Sequence, residues 1–112
     1  MPKVFSVTVT HHPDETVIAV AGEMDVTTCP DVDSAATVTP VGGRTLCLDL
    51  SEVSFIDSMG LNLLLRLRRR VRADGSRLVL TGLQEQARDL LHLTEAYALF
   101  DISDRGPAPS SY

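Results

Sequence analysis

The sequence has no tryptophan, and aromatic residues make up only 4% of its 112 positions. Any core must therefore be aliphatic, and a hydrophobic content of 44% is enough to build one from Leu, Val and Ile. There are two cysteines, Cys29 and Cys47, too few for a disulfide framework and without metal-ligand spacing. Cys47 lies in an apolar run and reads as a buried small hydrophobe. Apolar runs of about eighteen residues are absent, which excludes a membrane-spanning helix. Acidic residues outnumber basic ones by 15 to 10, and a net charge of −5 argues against nucleic acid as a direct partner. The start, Met1-Pro2-Lys3, lacks the apolar stretch of a signal peptide, so the expected compartment is the cytoplasm. The length allows one domain.

What is present alternates between strand and helix patterns. Val4 to Thr10 alternates apolar and polar, the period of a half-buried strand. The turn cluster His12 to Glu15 then leads to a second strand, Val17 to Ala21, and the short link predicts an antiparallel hairpin. Thr28 and Pro30 mark a helix start, but Asp31 to Thr39 is rich in β-branched residues. A short or irregular helix is expected there, closed by Pro40 and the Gly42-Gly43 pair.

Thr45 to Leu50 is nearly continuous and apolar, as in a central strand, and Ser51 to Ile56 leads away from it. Ser58 to Ala73 is the clearest helix. Gly60, Leu61, Leu64, Leu67 and Val71 share one face, Asn62, Arg66 and Arg69 the opposite one, and Gly75 is a left-handed cap. Arg77 to Thr81 predicts a strand, Gln84 to Leu93 an amphipathic helix with Ala87, Leu90, Leu91 and Leu83 inward, and Leu99 to Ile102 an edge strand. Residues 1–104 then form the domain, and the tail from Arg105 to Tyr112 has no apolar period. The order β-β-α-β-α-β-α-β defines an α/β fold: a mixed sheet of four to five strands with helices packed against it.

Ser58 stands where a buried strand turns into a helix, so its hydroxyl meets solvent near a helix amino terminus with unpaired N–H groups and partial positive charge. A plain helix cap at Asp57 or Ser58 would contribute about 1 kcal/mol. A capping Ser with a Glu three residues on is not the pattern, because Leu61 stands there. A cap also leaves Gly60 unexplained, whereas a close approach of the helix start to a neighbour requires it.

Asp57-Ser58-Met59-Gly60-Leu61, after the strand Leu46 to Leu50 and Val53 to Ile56, resembles the phosphorylation-site signature of bacterial anti-sigma factor antagonists, which are STAS domains. Gly22-Glu23-Met24-Asp25 resembles the family's Gly-Glu-Leu-Asp segment, and Leu78 to Ile102 its closing strand, helix and strand. The resemblance runs from about Val4 to Ile102. It implies a phosphoprotein that is no enzyme and carries no cofactor. Unphosphorylated at Ser58, it would bind an anti-sigma factor that is also a serine kinase and so release a sigma factor; ATP belongs to that kinase. A metal-dependent serine phosphatase would reset it. Asp25, Asp57, Met59, Gly60, Asn62 and Leu63 are the implied partner surface, with Met59 and Leu63 as an outward apolar patch. Met59 departs from the family, which more often has a second Ser or Thr there.

Two rivals follow from the same residues. A serine hydrolase would need Gly-x-Ser-x-Gly, but Ile56 occupies the first Gly position and no spacing ties His11, His12 or His92 to Ser58. A STAS scaffold in a stress-signalling or transport complex, without sigma-factor control, is the closer alternative; the retained serine favours the antagonist. The arginines from Arg66 to Arg72 complement the helix carboxyl terminus and solvate its surface, with no interleaved aromatic residue for base stacking.

Overall fold

The computed structural model describes residues 5–39 and 42–103. Strands β1 (Ser6–His11) and β2 (Glu15–Met24) form the expected hairpin, followed by α1 (Cys29–Val38), β3 (Thr45–Ile56) and α2 (Ser58–Ala73). Strand β4 (Arg77–Thr81), α3 (Glu85–Leu93), a 3₁₀ turn at Tyr97–Leu99 and β5 (Asp101–Ser103) complete the domain. The sheet has the order β1-β2-β3-β4-β5; β1 is antiparallel to β2 and the other pairs are parallel. Because each parallel crossover steps to the next strand in the same direction, right-handed connections put the helices on one face.

That face carries an apolar row across all five strands. Val9 pairs with Ile18, Ile18 with Leu48, Leu48 with Leu80 and Leu80 with Ile102. Leu61, Leu64, Leu67 and Val71 of α2, Val32 and Ala36 of α1, and Ala87 and Leu91 of α3 join this row in one core. Cys47, at the alternate position on β3, is buried outside that cluster, and burial pushes its thiol up to about 11. It is a protonated packing residue at neutral pH.

Several elements differ in detail from the sequence expectation. The β-branched α1 segment is a regular helix of ten residues, since Cys29, Val32 and Ala36 recur on the core side and packing outweighs propensity. Residues Ser51 to Ile56 remain in β3, held against β2 through two register shifts that break the apolar alternation. The last strand is displaced to Asp101–Ser103, because Tyr97–Leu99 turns so that Phe100 enters the core. Leu90 is half-buried, while Leu83, Ala87 and Leu91 point inward as expected. Gly75 has the expected left-handed conformation, with φ 74°. Val4, Pro40 and the segment Arg105 to Tyr112 lie outside the described residues.

Strand β3 is twelve residues long, but β4 pairs only with Thr45 to Asp49. Beyond that point α3 takes the place of β4. Gly82, at φ 71°, makes this possible: a Cβ there would lie 2.8 Å from the Ser51 Cα and 2.9 Å from its nitrogen. Gly82→Ala is expected to lose about 2–4 kcal/mol of stability from overpacking and left-handed strain. Urea denaturation monitored by circular dichroism checks this, with an unchanged midpoint as the contrary result.

Candidate functional site

The carboxyl ends of β2 and β3 lie side by side, with Met24 opposite Ile56. Each strand is followed by an aspartate that organises the next helix. Asp57 is the N-cap of α2: its Oδ1 accepts from the backbone N–H of Met59 at 2.9 Å and of Gly60 at 3.1 Å. Its own N–H donates to the Met24 carbonyl at 3.3 Å, which ties the start of α2 to the end of β2.

Asp25 does comparable work before α1. Its Oδ1 accepts from the Thr27 hydroxyl at 2.6 Å, the Thr27 N–H at 2.9 Å and the Thr28 N–H at 3.2 Å. The Asp25 N–H in turn donates to the Thr28 hydroxyl oxygen at 3.0 Å, and that hydroxyl donates to the Glu23 carbonyl. The Thr27 hydroxyl first, then the Thr27 and Thr28 N–H groups, hold the Asp25 carboxyl below the ordinary carboxylate value. The two aspartates flank Cys29: burial first, then the charges of Asp57 and Asp25, push its thiol up.

Ser58, directly after Asp57, occupies the first helical position and is exposed. Among the described residues no group hydrogen-bonds its hydroxyl. Gly60 is buried, and a Cβ on it would stand 2.7 Å from the Ile56 Cγ2 and 3.0 Å from the Met24 carbonyl oxygen. The glycine lets α2 begin directly against both strand ends, the close approach expected of it.

The structure therefore groups Asp25, Asp57, Ser58, Met59 and Gly60 at one end of the sheet. Asn62 is exposed on the next turn. Leu63 corrects the sequence reading: at 1% exposure it belongs to the core, not to an outward patch. The apolar face of α2 is wider than the stripe drawn from Leu61, Leu64, Leu67 and Val71, because helices pack on the sheet and on each other at once. Met59 is exposed, at 43%. Two exposed apolar residues at the same end escaped sequence reasoning, Phe55 at 41% and Val26 at 63%. Phe55 shares the facing of Glu23, Cys47 and Asp49, the side opposite Ile56 and Leu48. It was missed because Ser51 to Ile56 was read as leading away from the strand and so was given no face.

Among the described residues no hydrogen bond joins a histidine to Ser58. His11 and His12 sit at the opposite, amino-terminal end of β2, where the His11 Nδ1 is 3.3 Å from the Thr16 Oγ1. His92 stacks on Tyr97 with ring centroids 4.0 Å apart. Among the described residues no group of His, Cys, Asp and Glu could hold a metal ion, and no helix is long and apolar enough to cross a membrane.

Comparison with known proteins bears on the same segments. Residues 6–105 match the STAS domain family. An anti-sigma-B factor antagonist of Listeria monocytogenes is 41% identical over 90 residues, covering 80% of this chain and 76% of that protein. The crystal structure of an anti-sigma factor antagonist from Mycobacterium paratuberculosis superposes with a TM-score of 0.75 at 27% identity, over 91% of this chain and 87% of the other. The phosphorylated form of the Bacillus cell fate determinant SpoIIAA shares the fold, with a TM-score of 0.67 at 19% identity, over 91% and 93% of the two chains.

The Asp25 network gives a titration test. A depressed carboxyl contributes stability that is present above the ordinary carboxylate range and lost as pH falls through the lowered value. Thr27→Val removes the hydroxyl contact, so the Asp25 carboxyl should titrate at higher pH in a carbon-detected NMR titration. An unmoved Asp25 midpoint would contradict the assignment.

Proposed function

The chain belongs to the anti-sigma factor antagonist family of STAS domain proteins, and on that premise we propose that it works as a partner switch controlled at Ser58. Unphosphorylated, it binds an anti-sigma factor of the serine kinase type and so frees a sigma factor for transcription. That kinase, using its own ATP, phosphorylates Ser58 and the complex ends. A metal-dependent serine phosphatase restores the binding form. The observation that carries this reading is the exposed, unbonded Ser58 hydroxyl at the first position of α2, directly behind a side-chain cap.

The cap decides how a phosphate would act. A helix amino terminus can hold a phosphoryl group with its free N–H groups. Here the Asp57 carboxylate already occupies the N–H groups of Met59 and Gly60. A phosphoryl group on Ser58, carrying about −1.5 to −2 charges at neutral pH, would face that carboxylate and be directed outward. It would stand next to Met59, at the end of the sheet that also exposes Phe55 and Val26. A partner that covers them would have to desolvate the new charge, which costs far more than covering a neutral hydroxyl. Binding is thus lost through exclusion at the surface, and the fold has no need to rearrange.

Incubation with a kinase-type anti-sigma factor and ATP should place one phosphate on Ser58, located by peptide mass spectrometry. Ser58→Ala should bind that partner and take no phosphate, whereas Ser58→Asp should bind at least about tenfold more weakly, a loss of about 1.4 kcal/mol. Tight binding by Ser58→Asp would rule out the exclusion mechanism. A protein that takes no phosphate and binds no anti-sigma factor would point instead to a scaffold role.

A further inference from the structure

Ile56 is the last residue of β3, and its backbone N–H and C=O face away from β2, toward the side that β4 has already left. Both groups are taken by one side chain. The Ile56 N–H donates to the Gln86 Oε1 at 2.8 Å, and the Gln86 Nε2 donates to the Ile56 carbonyl at 2.8 Å. The primary amide thereby stands in for the peptide group of a neighbouring strand. Gln84 adds a second contact below it, donating from Nε2 to the Ser51 carbonyl at 2.9 Å.

Ile56 is also the residue on which the Ser58 turn rests. Its Cγ2 sets the closest approach of Gly60, and its successor Asp57 caps α2 and donates to the Met24 carbonyl. We propose that Gln86 is a positioning residue for phosphorylation at Ser58: its amide fixes the end of β3 from the α3 side, and so fixes where the Ser58 hydroxyl is presented. The inference rests on the reading of Ser58 as a kinase substrate only for its effect on phosphorylation. The effect on the turn stands independently.

The geometry makes the roles of substitutions distinct. Gln86→Ala leaves both Ile56 groups without their partner. Gln86→Glu keeps an acceptor for the N–H but sets a carboxylate oxygen against the carbonyl. A displacement of the nucleophile of about 1 Å is enough to cost a phosphoryl transfer tenfold or more. The Gln86 amide bonds the backbone of Ile56 and makes no hydrogen bond to Met59, Phe55 or Val26.

The experiment has two arms, run on the full chain with both variants. In the first, amide hydrogen exchange by NMR should quicken at least about tenfold at Met59 and Gly60 in both variants, while the amides of Arg70 and Arg72 keep wild-type rates. In the second, phosphorylation by a kinase-type anti-sigma factor should show kcat lowered about tenfold with KM changed less than about threefold. A variant that only unfolds more often would raise KM and leave kcat alone, which would overturn the positioning role. Unchanged exchange at Met59 and Gly60 would also overturn it. If wild-type Ser58 takes no phosphate, the proposed function fails, and the exchange arm alone decides whether Gln86 holds the turn.

Discussion

The constraint on which the rest of this structure depends is a mismatch of strand lengths. Strand β3 has twelve residues and its parallel neighbour β4 has five. A buried strand edge cannot leave its N–H and C=O groups unpaired without a cost comparable to a lost hydrogen bond each. The fold answers with α3, admitted alongside β3 by Gly82 and joined to it by the side-chain amides of Gln84 and Gln86. Strand β2, ten residues long, guards the other edge through its register shifts. Ile56 is thus carried past the sheet with its hydrogen bonds satisfied, and Ser58 stands clear of neighbouring strands.

From that platform two carboxylates do structural and electrostatic work together. Asp57 satisfies backbone donors in the first turn of α2, and Asp25 those of the turn that leads into α1, which would otherwise remain open. A chloride or phosphate could have met the same donors, but a resident carboxylate closes them permanently. The site is stable without a ligand and carries negative charge before any modification. On the proposed reading, a further charge at Ser58 would therefore change what the surface accepts and not how the chain folds.

Much of this was legible in the sequence, and the limits have physical causes. The alternation Val7-Thr8-Val9, the apolar run around Leu48 and the stripe from Leu61 to Val71 each report one periodic face, so the elements and their order could be read. Asp57 and Gly60 were readable because cap and close approach fall within four residues. Leu63 was misplaced because a stripe drawn from one helix ignores what a second helix covers. Phe55 was missed because Ser51 to Ile56, polar at Ser51, Glu52 and Ser54 and broken in its alternation, was not read as a continuation of β3 and so was given no face. Gln86 could not be found at all, since its role comes from a backbone edge thirty residues away in sequence.

The division of labour between core and switch follows from where the apolar contacts lie. The row Val9, Ile18, Leu48, Leu80 and Ile102 crosses the middle of the sheet, while Ser58 lies beyond the last residue of β3. From Leu48 to Ile56 strand β3 keeps pace with β2 from Ile18 to Met24, a span of about 20 Å at ordinary rise and several times the reach of a side-chain contact. On the proposed reading, a charge on Ser58 would act at short range, on Asp57 and on whatever covers Met59, and not on the middle of that row. A small domain can add and remove such a charge repeatedly without approaching its own unfolding, provided the turn that presents Ser58 stays fixed by Met24 on one side and by the α3 amide on the other.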